Sequence, residues 1–210
     1  MAAKGYTSEE NIESYGLVDI AGSFSNQIDG WIEGVEGIID DITGRNFIAD
    51  EEASPRLFDG PGSKKLIIDD AVEITKLEIG LDDYGGNFQE ILASGVNRYF
   101  TLPANGMDNA GKPVPFTALQ LRAHFFQSGM QNQRVTAKWG YSVDVPKEIE
   151  FAATVFAFGI VNQQRQSGQS VKSEKIGNYA VTYNSDNGKD SWGDFERALA
   201  ILDKYKRYYF

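Results

Sequence analysis

The segment Ile149–Val161 constrains this chain more than any other, because it is apolar almost all the way round. Ile149, Ala152, Ala153, Phe156 and Ile160 fall on one side of a helix, and Phe151, Val155 and Phe158 on another. Pro146 suits a first helical turn, and Glu148 and Glu150 suit the positive end of the helix dipole. A helix that is apolar on every side is buried on every side. The chain must therefore cover it twice, with a β-region or a neighbouring subunit on the second face. Phe151, Val155 and Phe158 become candidates for packing between subunits. No run of 18 apolar residues occurs, so no membrane partner is expected.

The flanking sequence supplies further helices. Thr7 and Glu10 have the spacing of a capping box, which predicts a short helix over Ser8–Tyr15 stopped by Gly16. Phe24, Ile28, Trp31, Ile32, Val35, Ile38, Ile39 and Ile42 recur at three- and four-residue steps and predict a helix over 24–43 ending at Gly44. Asp29, Glu33, Glu36, Asp40 and Asp41 fill its polar face. Gly30, Gly34 and Gly37 weaken it by about 1 kcal/mol each relative to alanine, so packing must hold it. A last helix carries Trp192, Phe195, Leu199, Leu202 and Tyr205.

Between these helices the period changes to that of strands. Arg56–Phe58, Leu66–Ile68, Ile74–Ile79, Arg98–Leu102, Ala118–Leu121 and Arg134–Tyr141 read as β-runs, the first three separated by the turn signals Asp59–Gly62 and Asp69-Asp70. The loop Pro103–Pro115 is long enough for an exposed arm, with Asn105, Asp108 and Lys112 as candidate contacts to a neighbour. A later hairpin is expected, with Lys175–Tyr183 as its clearest strand. The expected fold is α+β: a bundle of three to four helices, an inserted antiparallel β-subdomain, and a C-terminal hairpin plus helix. The boundaries fall at 1–53 (bundle helices), 54–142 (insertion) and 143–210 (returning helix, hairpin and terminal helix).

Functional chemistry is sparse. The 210 residues contain no cysteine, which excludes thiolate metal sites and cysteine nucleophiles. Twenty basic against 30 acidic residues give a net charge of −10, the wrong balance for duplex binding by a basic stripe. The N-terminus lacks an apolar core of signal-peptide length. His124 is the single histidine, and the nearby Ser128 sits in no nucleophile elbow. Gly60–Lys64 has the wrong spacing for a phosphate loop, and Asn184–Asp190 misses the register of an EF-hand. The pairs Asp40/Asp41, Glu51/Glu52, Asp69/Asp70 and Asp82/Asp83 are adjacent residues that point apart. No catalytic, cofactor or metal site is expected. The terminal run Lys204, Tyr205, Lys206, Arg207, Tyr208, Tyr209 and Phe210 has two readings: a helix end whose cations complement the dipole, or a docking tail built from interface-favoured residue types.

The order of motifs resembles head–tail connector (adaptor, or head-completion) proteins of tailed bacteriophages. The resemblance rests on Thr43-Gly44-Arg45-Asn46-Phe47 closing a helix and Arg56–Ser63 followed by Leu66-Ile67-Ile68. It continues through Asp83-Tyr84, Tyr99–Pro103 and Val135–Tyr141 with Val145-Pro146. Last come the alanine-rich helix, Gly177-Asn178-Tyr179, and Ala198–Leu202 with Tyr205-Lys206-Arg207. It implies a virion protein made in the host cytoplasm, forming a ring of like copies, normally twelve, beneath the portal protein. Such a ring extends the channel through which genomic DNA passes without sequence-specific binding. It also offers a surface to a stopper or tail-completion protein, and its C-terminal segment grips the portal. Other readings are a tail terminator, a carbohydrate- or receptor-binding module using Trp139, Tyr141 and Tyr99, and a hydrolase built on His124.

Overall fold

The computed structural model describes residues 4–17, 19–20, 26–81, 87–95, 98–165, 172–176, 179–183 and 189–207. In chain order the helices are α1 (Glu9–Gly16), α2 (Ile28–Thr43), α3 (Lys147–Arg165) and α4 (Lys189–Tyr205). The strands are β1 (Ser54–Gly60), β2 (Lys65–Gly80), β3 (Phe88–Ile91), β4 (Tyr99–Leu102), β5 (Phe116–Leu121), β6 (Gly129–Trp139), β7 (Lys172–Ile176) and β8 (Tyr179–Tyr183). The expected α+β class holds: helices and an antiparallel sheet share the chain. Two compact units result, a helical one from Met1–Arg45 with Val145–Phe210 and a β unit from Asn46–Asp144.

In the helical unit, α3 lies at the centre and packs against α1, α2 and α4. Its Ile149, Ala152, Ala153, Phe156, Ala157 and Val161 are buried, as the all-round apolar pattern requires. On the second face, α1 and α4 of the same chain supply part of the cover. Tyr15 of α1 meets Phe151 and Phe158 edge-on, at ring-centroid distances of 6.4 and 5.3 Å. Arg197 of α4 lies 5.2 Å over the Phe151 ring, and Val155 is only 4% exposed. Within the chain Val155 is buried, while Phe151 and Phe158 are half-buried.

Gly16 explains how α1 comes so close. A Cβ at this position would lie 2.0 Å from Cε2 of Phe158, so space, not a left-handed backbone, demands the glycine. The left-handed residue that ends α1 is Leu17, at φ 51°. The N-terminus of α1 also shifts by one residue from the expected capping box. Ser8 is the cap and accepts from the Asn11 amide at 3.2 Å, because the Thr7 hydroxyl is engaged with Thr154 on α3 at 2.7 Å.

Helix α2 starts at Ile28 rather than 24, and Phe24 lies outside the described residues. Its end agrees with expectation: Gly44 takes φ 65° and its amide donates to the Asp40 carbonyl at 2.7 Å. Glu36, expected on the solvated face, is 1% exposed. Its carboxylate accepts the backbone amides of Lys4, Gly5 and Tyr6 at 2.6, 2.7 and 2.8 Å. Asp40, one turn on, accepts the Tyr6 hydroxyl at 2.6 Å and pairs with Lys4. Two carboxylates of α2 thus strap residues 4–6 onto the helix.

The β unit is a six-stranded antiparallel sheet in the order β1-β6-β2-β5-β4, with β3 pairing the far end of β2. Leu66–Ile68 and Ile74–Ile79 are not separate strands but parts of the 16-residue β2. Asp69-Asp70 makes no turn: Asp70 is buried and its carbonyl accepts the Gly140 amide at 2.8 Å, while Asp69 accepts from Arg56 at 2.8 Å. The break shows instead as register shifts along β2 between Ile67 and Ala71, Ala71 and Glu73, and Ile74 and Lys76. β2 therefore bends while remaining continuous. Strand β3 was not expected. Leu66, Ile68, Leu77, Leu119, Phe126, Val135 and Trp139 form one apolar core beneath the sheet.

Candidate interaction surfaces

Tyr205 and Arg207 of the C-terminal run are built into the bundle. Tyr205 is buried, its hydroxyl donates to Glu148 and its carbonyl accepts Arg45 Nε at 2.5 Å. The Arg207 amide donates to the Thr43 carbonyl at 2.8 Å, and Lys206 Nζ pairs with Asp203 at 2.8 Å. Lys204 is exposed. Tyr208, Tyr209 and Phe210 lie outside the described residues. The segment Thr43-Gly44-Arg45 and the end of α4 thus brace one another, which gives Tyr205 and Arg207 a structural duty.

The Pro103–Pro115 loop is exposed but folded on itself. Asp108 accepts the amides of Ala110 and Lys112 through Oδ1, both at 2.8 Å, and its own amide donates to the Lys112 carbonyl at 2.9 Å. The Asp108 carboxylate is therefore engaged in closing the turn. Asn105 and Lys112 are exposed on the same arm, with Asn105 at φ 60°. At the arm's foot a cleft of about 410 Å³ is lined by Val72, Val114, Phe116 and Tyr141, with Asn105 and Asp144 among its polar groups.

The aromatic residues offered as a glycan platform are not one. Trp139 is 1% exposed, donates from Nε1 to the Ser54 carbonyl at 2.8 Å, and lies under the Arg56 guanidinium at 4.6 Å. Tyr99 is buried, and burial, followed by the charge of Glu90, raises its phenol above the ordinary value. Tyr141 tilts against Phe47 at 5.4 Å. All three serve packing.

His124 and Ser128 sit exposed on the segment between β5 and β6. Among the described residues no three His, Cys, Asp or Glu side chains gather so as to hold a metal ion. Of the polar run once compared with a calcium loop, 184–188 lies outside the described residues. No described helix is long and apolar enough to cross a membrane.

The strongest electrostatic group is a network on the β-sheet. Arg134 of β6 holds Glu78 of β2 by two hydrogen bonds of 2.7 Å, and Lys76 adds a third at 2.9 Å. The Arg134 bonds, opposed by burial and aided by Lys76, lower the Glu78 carboxyl to about 2. The Arg134 guanidinium also stacks 4.1 Å from the Phe88 ring, tying β3 to the sheet. This is an ion-pair clamp between β2 and β6. The neighbouring cations Arg56 and Lys138 are likewise paired, with Asp69 and Glu73.

Four other cations of the β unit, of which the sequence reading touched only Lys64, have no such partners. Lys64, Lys65, Arg98 and Arg122 make no ion pair among the described residues. Of the four, only Arg122 lies in the stretch from Asn109 to Val143, which contains no aspartate or glutamate.

No family model matches the chain, and no curated protein matches it. Among solved structures, the chain is similar to a chain in the neck of an empty GTA (gene transfer agent) particle computed with C6 symmetry. The likeness covers 100% of this chain and 94% of that one, at a TM-score of 0.55 and 9% sequence identity. At that identity it is the fold that is shared.

Proposed function

We propose that this chain is a structural protein of the neck of a tailed-phage-like particle, located in the virion between head and tail. The observation that carries this reading is the end-to-end fold likeness to a chain from the neck of a GTA particle. Because that likeness spans both units, it supports a role for the whole chain and not for one borrowed domain. The ordered motifs around Thr43–Phe47 and Val135–Tyr141 point the same way from sequence.

In the finer form of the proposal, copies assemble as a ring of twelve beneath the portal protein, a number compatible with sixfold symmetry. The helical unit forms the body of the ring and the β unit decorates it. Heterologous contacts repeated around a closed ring need only one pair of complementary patches per copy. The lumen extends the DNA channel, and a wall of net negative charge would repel phosphate and leave the genome free to slide. Lys204 and the residues from Tyr208 onward contact the portal, while Tyr205 and Arg207 anchor that segment to the bundle. The opposite end of the ring receives a stopper or tail-completion protein.

The chemistry of such a part is assembly alone. Its test is removal: particles produced without this chain should have heads that package DNA yet carry no tails and lose their genome. Normal tailed particles in its absence would refute the neck role.

A further inference from the structure

The charges of this molecule are segregated in a way that its own fold does not neutralise. Lys64 precedes β2 and Lys65 opens it, Arg98 precedes β4, and Arg122 follows β5. Backbone hydrogen bonds bring them to one corner: the Leu121 amide donates to the Lys64 carbonyl at 2.9 Å, and the Arg122 amide to the Arg98 carbonyl at 3.1 Å. Lys65 also faces Gln120 across the ladder, and Gln120 faces Phe100. Exposed apolar groups lie among these cations: Phe100 is 42% exposed, Ile67 56% and Phe125 60%. Arg98 lies 4.8 Å over the Phe100 ring and Lys64 lies 5.5 Å over Phe125. Cations laid on exposed aromatic rings have the composition of a protein interface.

The complement is on the helical unit. Helix α2 contains no lysine or arginine, and Asp29 and Asp41 are exposed on it without an ion pair among the described residues. Gly30, Gly34 and Gly37 share that outer face, and a Cβ at any of them would meet nothing within 4 Å. The face is acidic, low and uncovered. Long cationic side chains of a visiting surface could reach its carboxylates without steric hindrance.

We infer that the cationic corner formed by Lys64, Lys65, Arg98 and Arg122 of one copy seats on the outer face of α2 of the next copy. The contact is heterologous, two different patches of one sequence, and such contacts close into rings. This rests on the ring reading above and names the surfaces that would build it. A DNA phosphate is the weaker occupant for the corner, because Ile67, Phe100 and Phe125 add apolar surface that a phosphate backbone does not use.

Zero-length carbodiimide cross-linking tests this, since it joins lysine to carboxylate only in direct contact. The full-length chain, half of it labelled with ¹⁵N, is cross-linked at low salt, and isotopically mixed peptides are identified. Lys64 or Lys65 should be joined to Asp29, Glu33 or Asp41 of the other isotope. Reversing Arg98→Glu and Arg122→Glu together should lower that yield by about tenfold, since like charges then oppose one another. Adding Asp29→Lys and Asp41→Lys in the partner copy should restore association between the two variants. These residues are exposed or half-exposed, and circular dichroism confirms that each variant is folded. Mixed links only at other positions would overturn this surface and leave the ring reading standing. A complete lack of mixed links would overturn both. If the corner instead retains labelled duplex DNA, loses it on charge reversal and gives no mixed links, it is a phosphate site and the inference is wrong.

Discussion

Replacing Glu36 probes the most concentrated interaction in the helical unit. Its carboxylate accepts three amides at 2.6–2.8 Å while 1% exposed. In Glu36→Ala those donors have two alternatives. If they stay in place, each unsatisfied amide costs about 1–3 kcal/mol. If residues 4–6 detach to meet water, Tyr6 leaves a site where it is fully buried and its bond to Asp40 is lost. That exposure costs about 1.5–3 kcal/mol for the ring and about 1 kcal/mol for the bond. The cheaper route sets the loss, so Glu36→Ala should lower unfolding free energy by about 3 kcal/mol. Glu36→Gln keeps an oxygen for Gly5 and Tyr6 but turns a donor toward Lys4, and should cost about 1–2 kcal/mol. Urea unfolding gives both values, and hydrogen exchange at the Tyr6 amide shows whether the strap has come away. An alanine variant within about 0.5 kcal/mol of the parent, or a glutamine variant as damaged as the alanine one, would refute the strap.

Three further outcomes follow from the same structure. Glu78 has a folded value of about 2 against an ordinary 4.5, so its stabilisation is present above 4.5 and is lost as pH falls through about 2. Arg134→Ala should therefore cost about 1–2 kcal/mol near neutrality, with the gap to the parent closing as the pH is lowered toward 2, and a gap independent of pH would contradict the clamp. Gly34→Ala and Gly37→Ala should each stabilise the isolated chain by about 0.5–1 kcal/mol, read as a higher melting temperature, because the new methyl meets nothing; a lower melting temperature would show that the face is not open. Removing residues 208–210 should abolish binding to portal rings while preserving the bundle, whereas removal from Tyr205 onward should also destabilise it, since Tyr205 is buried against Glu148; retained portal binding by the shorter deletion would refute the docking tail.

Local patterns were readable where a local cause dominates. The end of α2 at Gly44 follows from a left-handed residue after a periodic apolar stripe, and both are visible in sequence. The burial of α3 was equally plain, but periodicity says only that a face is covered, not by what. Part of the cover is Tyr15, more than 130 residues away and admitted by the missing side chain of Gly16. Glu36 was misplaced for a related reason: a carboxylate at a polar helical position reads as solvated unless the three amides that meet it are known. Asp69-Asp70 carried turn chemistry, yet the Gly140 amide on the Asp70 carbonyl and Arg56 on the Asp69 carboxylate hold β2 extended through it. The short β3 owes its existence to Arg134 stacking on Phe88 and to pairing with β2, neither of which four residues reveal. The cationic corner became visible only after the other cations of the sheet were seen to be paired. Net charge alone had hidden it, because −10 is a sum over both units.

The neck assignment is tested most directly by imaging the particle itself. A cryo-electron microscopy reconstruction of the head–tail junction, with this chain carrying a small C-terminal label, should place a closed ring of copies against the portal, its helical units around the DNA channel. Label density elsewhere in the particle, or a junction complete without this chain, would contradict it.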